Sequence, residues 1–339
     1  MATTSSTPQP EAAVTQQAVE EQRTPISLGR ESGGILVLLI FVAALMLSTN
    51  DFLTLTNLDN LVRQVAVFAI LSVGQLFVIL TGGIDLSVGS VLGLSGGVTA
   101  LLLASGTSVP VAILAGLATG LVVGLINGLL VAKLKLPPFI ATLGMLGVAR
   151  GLVLLWTDAK TIAPLPDAFN IIANGNVLGL PSLFWILVIV ALIAAFILGR
   201  TIFGRYVYAV GSNAESARLS GVPVNSVLIA VYCISGLLAG FAGILTTSRL
   251  GAGIPTAGTG YELQAIAGAV IGGASLSGAK GRVIGAVLGA LIMGLLANGG
   301  NLLAIDPFYL QIAIGLLIIL AVYFDHLQGR TLNLFRRAA

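Results

Sequence analysis

Nine long apolar runs, each with scarcely a charge inside it, divide this chain at residues 33–49, 61–81, 88–105, 109–132, 139–157, 182–199, 225–248, 281–300 and 308–324. Each is close to the length an α-helix needs to cross a hydrocarbon core of roughly 30 Å, and lipid admits only elements whose backbone hydrogen bonds close internally. A soluble globule is excluded by charge: 9% of the 339 residues are charged, against roughly 25% in soluble domains. The 43 glycines have no three-residue period, which excludes collagen, and instead suit helices whose backbones approach closely in lipid. Cys233 is the single cysteine, so intramolecular disulfides and cysteine-based metal sites are absent.

A tenth run, Gln264 to Gly273, rises only about 15 Å as a helix and is a short span or a re-entrant piece. Charge decides between them, because cytoplasmic loops carry the excess of Lys and Arg. With ten spans and the N-terminus inside, the inner segments hold Arg23, Arg30, Lys133, Lys135, Arg200, Arg205, Arg218, Lys280, Arg282, Arg330, Arg336 and Arg337. The outer segments hold Arg63, Lys160 and Arg249. The expected fold is therefore an all-α polytopic membrane protein of about ten transmembrane helices with both termini cytoplasmic. The net charge of +3 marks sidedness rather than nucleic-acid binding. Trp156, Trp185 and Tyr309 fall at outer span ends, where amphipathic rings favour the headgroup layer. Residues 1–32 form a polar tail expected to be disordered, 33–325 the transmembrane domain, and 326–339 a basic cytoplasmic tail. No signal peptide precedes Ile35.

Three segments stand out. In Thr81-Gly82-Gly83-Ile84-Asp85-Leu86-Ser87, paired glycines free the backbone, and Asp85 and Ser87 are placed to cap a helix starting near Leu86. A break of this kind in lipid must be shielded by protein or line a cavity, so Asp85 either caps near the interface or serves a solute pathway and its gate. The pattern G-G-x-x-L-S returns at Gly272-Gly273-Ala274-Ser275-Leu276-Ser277, as an internal repeat or as coincidence in a glycine-rich chain. Both copies follow a span carrying glutamine, Gln75 or Gln264. Gly82, Gly83, Asp85, Ser87, Gly272, Gly273 and Ser275 are thus pathway or gate candidates, with Gln75 and Asn127, whose amides more readily serve as interhelical hydrogen-bond partners. The third segment is a two-turn helix: Asn213 as N-cap, then Ala214, Glu215 in the first turn, Ser216, Ala217, Arg218 in the last turn, Leu219, Ser220, and Gly221 with Pro223 as a stop. A helix this short needs a packing surface, either its own spans or another protein.

Arg150 lies well inside the fifth span, as a functional charge, a snorkelling one or one with a structural partner. Arg249, Glu262, Asp158 and Asp167 fall on the outer side, solvated or available to a soluble protein. His326, beside Asp325, has no companion for a metal. No Walker loop, nucleophile elbow or H-E-x-x-H helix occurs, so neither ATP binding nor covalent chemistry is expected of this chain.

Together, GGIDLSVGS (82–90), PPFIATLGMLGVARG (137–151), GRYVYAVGSNAESARLSGV (204–222), PTAGTGYELQAIAGAVIGGASLSGAKGRVIGAVLGALIMG (255–294) and NGGNLL (298–303) resemble the ribose-type sugar permeases of bacterial ABC importers, in one order over about residues 45–325. The resemblance implies a type II importer permease in the bacterial inner membrane, not itself an enzyme. It implies a second permease copy, identical or related, a cytoplasmic ABC ATPase that holds the ATP and Mg, and a periplasmic sugar-binding protein. Under it, Asn213 to Gly221 is the helix that couples to the ATPase. A permease for branched-chain amino acids or nucleosides, or a secondary transporter needing no ATPase, are the alternatives.

Overall fold

The computed structural model describes residues 28–306, 308–320 and 322–323, the first ten of them as backbone. Of the tails expected at 1–32 and 326–339, residues 1–27 and 326–339, with His326, lie outside the described residues, whereas residues 28–32 are helical rather than disordered. Helix α1 (Leu28–Ser48) starts ahead of the apolar run expected from residue 33. It is followed by α2 (Leu55–Leu80), α3 (Val88–Ala104), α4 (Val109–Ala132) and α5 (Pro138–Trp156). Next come α6 (Asp167–Asn174), the two-residue strands β1 (Asn176–Val177) and β2 (Leu180–Pro181), and α7 (Ser182–Arg200). Then follow α8 (Ile202–Ser212), α9 (Ala214–Leu219), α10 (Val224–Leu250), α11 (Tyr261–Ile271), α12 (Val283–Leu302) and an apolar helix α13 (Phe308–Leu320).

Among the described residues, α2, α4, α5, α7, α10 and α12 are long and apolar enough to cross a membrane, and α3, α11, α13 and residues 38–48 of α1 form shorter apolar helices. The helix ends follow from local chemistry. Thr54 caps α2 by accepting a hydrogen bond from Asn57 N–H, which starts the helix six residues before the apolar run. Asn57 then exchanges amide hydrogen bonds with Asn298 of α12 at 2.7 and 3.2 Å, a neutral pairing that satisfies both side chains away from water. Pro181 and Pro137 stand just before α7 and α5, where a residue without an N–H costs nothing.

At the centre α2 is buried along almost its whole inner half, from Val65 to Leu80. Helices α4 and α10 share the most extensive helix–helix contact among the described residues. Gly116, Gly120, Gly124 and Gly128 recur every fourth residue on α4 and meet Gly236, Gly240 and the backbone of Tyr232 and Ile229 on α10. A Cβ at Gly124 would run into the carbonyl oxygen of Tyr232, so the two backbones are as near as helices can come. By contrast, α7 leaves Leu192, Ile193 and Phe196 exposed on its outward face.

Two of the shorter apolar helices, α3 and α11, are preceded by non-helical stretches packed within the bundle. After α2 the chain reverses at Gly82 and runs extended to Ser87 before α3 begins, two residues later than the sequence suggests. After α10, residues 251–260 descend beside α3: Gly253 lies against Ala100, Ala257 against Gly93, and Gly258 against Gly89. Helix α11 continues from there for 11 residues. The run expected at 264–273 as a short span thus falls largely in α11, which is preceded by a series of turns at residues 255–260 with Gly258 and Gly260 at positive φ. Outside the bundle, α6 and an antiparallel hairpin with Asn176 opposite Pro181 occupy the 158–181 connection. Arg63 of α2 holds this cap by donating to Ala173 O and, at 2.9 Å, to Asn176 Oδ1. On the other side, α8 precedes the expected short helix α9; the sequence reading did not anticipate α8.

Because the α4–α10 seam has no room for a side chain, Gly124→Val should destabilise the fold by about 1–3 kcal/mol or more through overpacking. Gly199→Ala, on an open face of α7, should be neutral. The midpoint of thermal unfolding in detergent checks both; equal midpoints would contradict the seam.

Candidate functional site

The non-helical stretch between α2 and α3 behaves as a strand with no sheet. Gly83, Asp85 and Ser87 are buried, whereas Gly82 is exposed and Ile84 and Leu86 are partly buried, packed against the edge of the apolar core. Its first turn is closed by Gly82 N–H to Ile79 O and Gly83 N–H to Val78 O, with Gly82 at φ +79°, a left-handed position that glycine fills without strain.

Asp85 is 1% exposed. Its Oδ1 accepts from Ser87 N–H at 2.9 Å and from Ser87 Oγ at 2.6 Å, and its Oδ2 accepts from Ser235 Oγ of α10 at 2.9 Å. Asn127 of α4 donates through Nδ2 to Ser87 Oγ at 2.9 Å. The Gln75 carboxamide, oriented to satisfy both its atoms, donates to Asp85 O and accepts from Asp85 N–H, each at 3.1 Å. One side chain of α2 thereby replaces the neighbouring strand that Asp85's backbone would otherwise need. Tyr232 of α10 is fully buried next to Gly83, where an added Cβ would sit 2.7 Å from its hydroxyl. The Tyr232 hydroxyl and Asn127 Oδ1 make no hydrogen bond among the described residues.

Ser87 occupies the N-cap position of α3, yet its side chain makes no capping bond. It donates to Asp85 instead, because a carboxylate two residues back is the stronger acceptor. Nor does Asp85 cap a helix at the interface: it is enclosed by α2, α4 and α10. No hydrogen-bond partner of this carboxylate carries a positive charge. The structure therefore joins Gln75, Asp85, Ser87 and Asn127 from the sequence candidates and adds Ser235 and Tyr232. The only sequence signal for these two is a pair of polar groups one turn apart in an apolar run.

Gly272, Gly273 and Ser275 lie elsewhere, at the end of α11. The second motif repeats two local devices of the first: a glycine at positive φ, Gly273 at +93°, and a side-chain turn, Ser277 N–H to Ser275 Oγ at 3.4 Å. Just beyond it Ala279 N–H donates to Leu80 O at 2.9 Å, so the two breaks touch at the end of α2.

The same junction receives α8. Gly211 is packed against Leu80 O and Ala279 N so tightly that no Cβ fits, and Tyr208 Oη donates to Gly281 O at 2.8 Å. Burial raises the Tyr208 phenol above its ordinary value, with Arg282 opposing the shift, so this donor keeps its proton. Helix α9 follows as the sequence implies. Asn213 Oδ1 accepts from Ser216 N–H at 2.9 Å, and Arg218 bonds both carboxylate oxygens of Glu215 at 2.7 Å. The chain leaves through Gly221 at φ +84°, with Val222 N–H donating to Ala217 O. Ala217 alone of this helix is buried, while Leu219 is 81% exposed.

Arg150 does not snorkel. Its Nη1 donates to Pro255 O at 2.7 Å and Ala257 O at 3.0 Å, tying α5 to the descending stretch. Asp158 and Asp167 are exposed as expected. Glu262 is not in an outer loop: its carboxylate lies against Gly89 in the first turn of α3 and accepts from Gly260 N–H at 3.2 Å. Among the described residues no group of three or more His, Cys, Asp or Glu is placed to hold a metal.

Residues 57–322 match the profile of the family described as "Branched-chain amino acid transport system / permease component". The ribose import permease protein of Escherichia coli K12 is 44% identical over 300 residues, 87% of this chain and 94% of the relative. The ribose import permease protein of Bacillus subtilis 168 is 45% identical over 294 residues, 86% and 90% of the two chains. The D-allose transport system permease protein of Escherichia coli K12 is 40% identical over 320 residues, 94% and 98%. No solved structure matches the chain.

Gln75→Leu removes both partners of Asp85's backbone and should cost about 1–3 kcal/mol for each group left unpaired. Thermal unfolding in nanodiscs should show a lower midpoint than the parent; an unchanged midpoint would contradict the pairing.

Proposed function

The chain belongs to the family of branched-chain amino acid transport system permease components, and from this we propose that it is the permease of an ATP-driven importer for ribose or a similar monosaccharide. The observation that carries the sugar assignment is similarity to ribose and allose permeases over 86–94% of this chain. Branched-chain amino acids, which the family description names, are the rival cargo.

We extend the reading to ten spans with both termini cytoplasmic in the bacterial inner membrane. Six long apolar helices and four shorter ones support the number, and the lysine and arginine distribution supports the orientation. On this topology residues 33–325 are the translocating unit and the two tails are cytoplasmic. The solute leaves unchanged, and the work comes from ATP and Mg held by a cytoplasmic ABC ATPase. A periplasmic binding protein delivers the sugar, and a second permease, identical or related, completes the pore.

Helix α9 is the element offered to the ATPase. It is exposed on all sides but Ala217, it carries an uncovered Leu219, and the Glu215–Arg218 pair and the two caps stiffen it. Through α8 it abuts Leu80 and Ala279, the hinge points of both broken spans. A displacement of α9 would reach the extended stretch 81–87 with no long side chain between to absorb it. There Asp85, Ser87, Gln75, Asn127 and Ser235 act as a latch whose bonds are lost and remade together, which is what a two-position gate requires.

In the assembled transporter, Leu219→Asp should lower ATPase association at least tenfold and Arg218→Ala should lower sugar-dependent ATP hydrolysis severalfold. Neither should change permease folding, since both side chains are exposed. Co-purification and a coupled ATP assay with sugar-loaded binding protein measure these effects. Full coupling in both variants would remove α9 from this role, and stimulation by leucine rather than by ribose would reassign the cargo.

A further inference from the structure

Helix α5 holds both broken spans. Thr142 Oγ donates to Ile84 O at 3.2 Å, and eight residues further along the same helix Arg150 donates to Pro255 O and Ala257 O. The extended stretch before α3 and the run of turns before α11 are thus fixed to one helix, and the two helices begin beside each other, with Glu262 of α11 against Gly89 of α3. Their depth follows from helix length. Glu262 stands nine residues above the end of α11 at Ile271, about 14 Å along the axis. That is near the middle of a hydrocarbon core of roughly 30 Å.

At this depth the outward surface is polar. Thr256 and Thr259 are exposed, Thr259 Oγ donates to Thr256 O at 2.7 Å, and Glu262 is partly exposed with Arg150 within electrostatic reach. Leu263, next to Glu262 in the chain, supplies exposed apolar surface. Hydrocarbon does not accept irregular backbone or a half-exposed carboxylate; such groups face protein or a water-filled cavity. We propose that the outward sides of residues 81–87 and 251–260, together with Glu262, form the wall that the passing solute touches at mid-membrane, with Glu262 as the acceptor for its hydroxyls. A carboxylate and two threonine hydroxyls beside a small apolar patch suit a neutral, hydroxyl-rich molecule, which makes Glu262 a specificity-determining residue. This rests on the transport reading, and it adds which residues meet the cargo.

The test uses the full chain with Cys233→Ser, assembled with its ATPase in membrane vesicles, and a membrane-impermeant, hydrophilic methanethiosulfonate reagent. Thr256→Cys and Thr259→Cys should be modified, and modification should slow severalfold while ribose-loaded binding protein and ATP drive turnover. Leu192→Cys, on the outward face of α7, should react only after denaturation. In the same complexes, Glu262→Gln should raise the KM for ribose at least fivefold and leave ATPase association intact. Thiols at 256 and 259 as inert as that at 192, whether sheathed by lipid or by a second permease, would overturn the wall, and an unaltered KM would overturn the role of Glu262. Labelling needs no transport, so a complex that labels as expected but moves no sugar would instead refute the transport reading.

Discussion

Hydrocarbon gives an unpaired peptide group nothing to bond to, and the Gln75 carboxamide meets that constraint in the non-helical stretch between α2 and α3 by pairing with both backbone groups of Asp85. Without it the stretch 81–87 would be a solitary strand inside a membrane. With it, the chain can turn at Gly82, run extended past Tyr232 and begin α3 well below the membrane surface. The same constraint is met for the descending stretch by Arg150, one guanidinium nitrogen serving two carbonyl oxygens. A charged side chain deep in a span is expensive, and its retention here is explained by a backbone that would be unpaired in its absence.

Close packing then determines which parts can move. The α4–α10 seam, glycine against glycine, leaves no freedom for one helix to rotate past the other, so these two helices behave as a single block bearing Asn127, Tyr232 and Ser235. The Asp85 stretch is attached to that block by hydrogen bonds, through Asn127 to Ser87 and through Ser235 to Asp85, and by the packing of Gly83 on Tyr232 and of Ile84 and Leu86 on the apolar cluster around it. Hydrogen bonds exchange partners at modest cost, whereas a packed glycine seam does not part without opening a cavity. The boundary between the rigid block and the extended stretch is therefore where an alternating-access motion has its least resistance. Helix α8 reaches that boundary through Gly211 against Leu80 and through the hydrogen bond of Tyr208 to Gly281.

The membrane class, the long spans and α9 with its caps were legible in the sequence, because each rests on local pattern: an apolar run of fixed length, a side chain three residues from an orphan amide, a glycine after the last turn. The site was legible in part. Gln75, Asp85, Ser87 and Asn127 stand out as polar residues in apolar surroundings, but that they bond to one another depends on how four elements pack. Ser235 and Tyr232 were missed because a hydroxyl in a long apolar helix is indistinguishable from one that bonds its own helix backbone. Glu262 was placed on the outer side because an acid after a glycine-rich loop reads as a loop residue. That the loop descends halfway through the bundle is set by tertiary fits, Gly89 and Gly93 against it and Arg150 across it, which no local window contains.

The central claim is that this permease is a gate without an engine of its own. Purified and placed in liposomes with radiolabelled ribose outside, it should not accumulate sugar under an imposed proton gradient, sodium gradient or membrane potential. With its ATPase and loaded binding protein added it should accumulate ribose in proportion to ATP hydrolysed. Accumulation by the chain alone, driven by any ion gradient, would contradict the account.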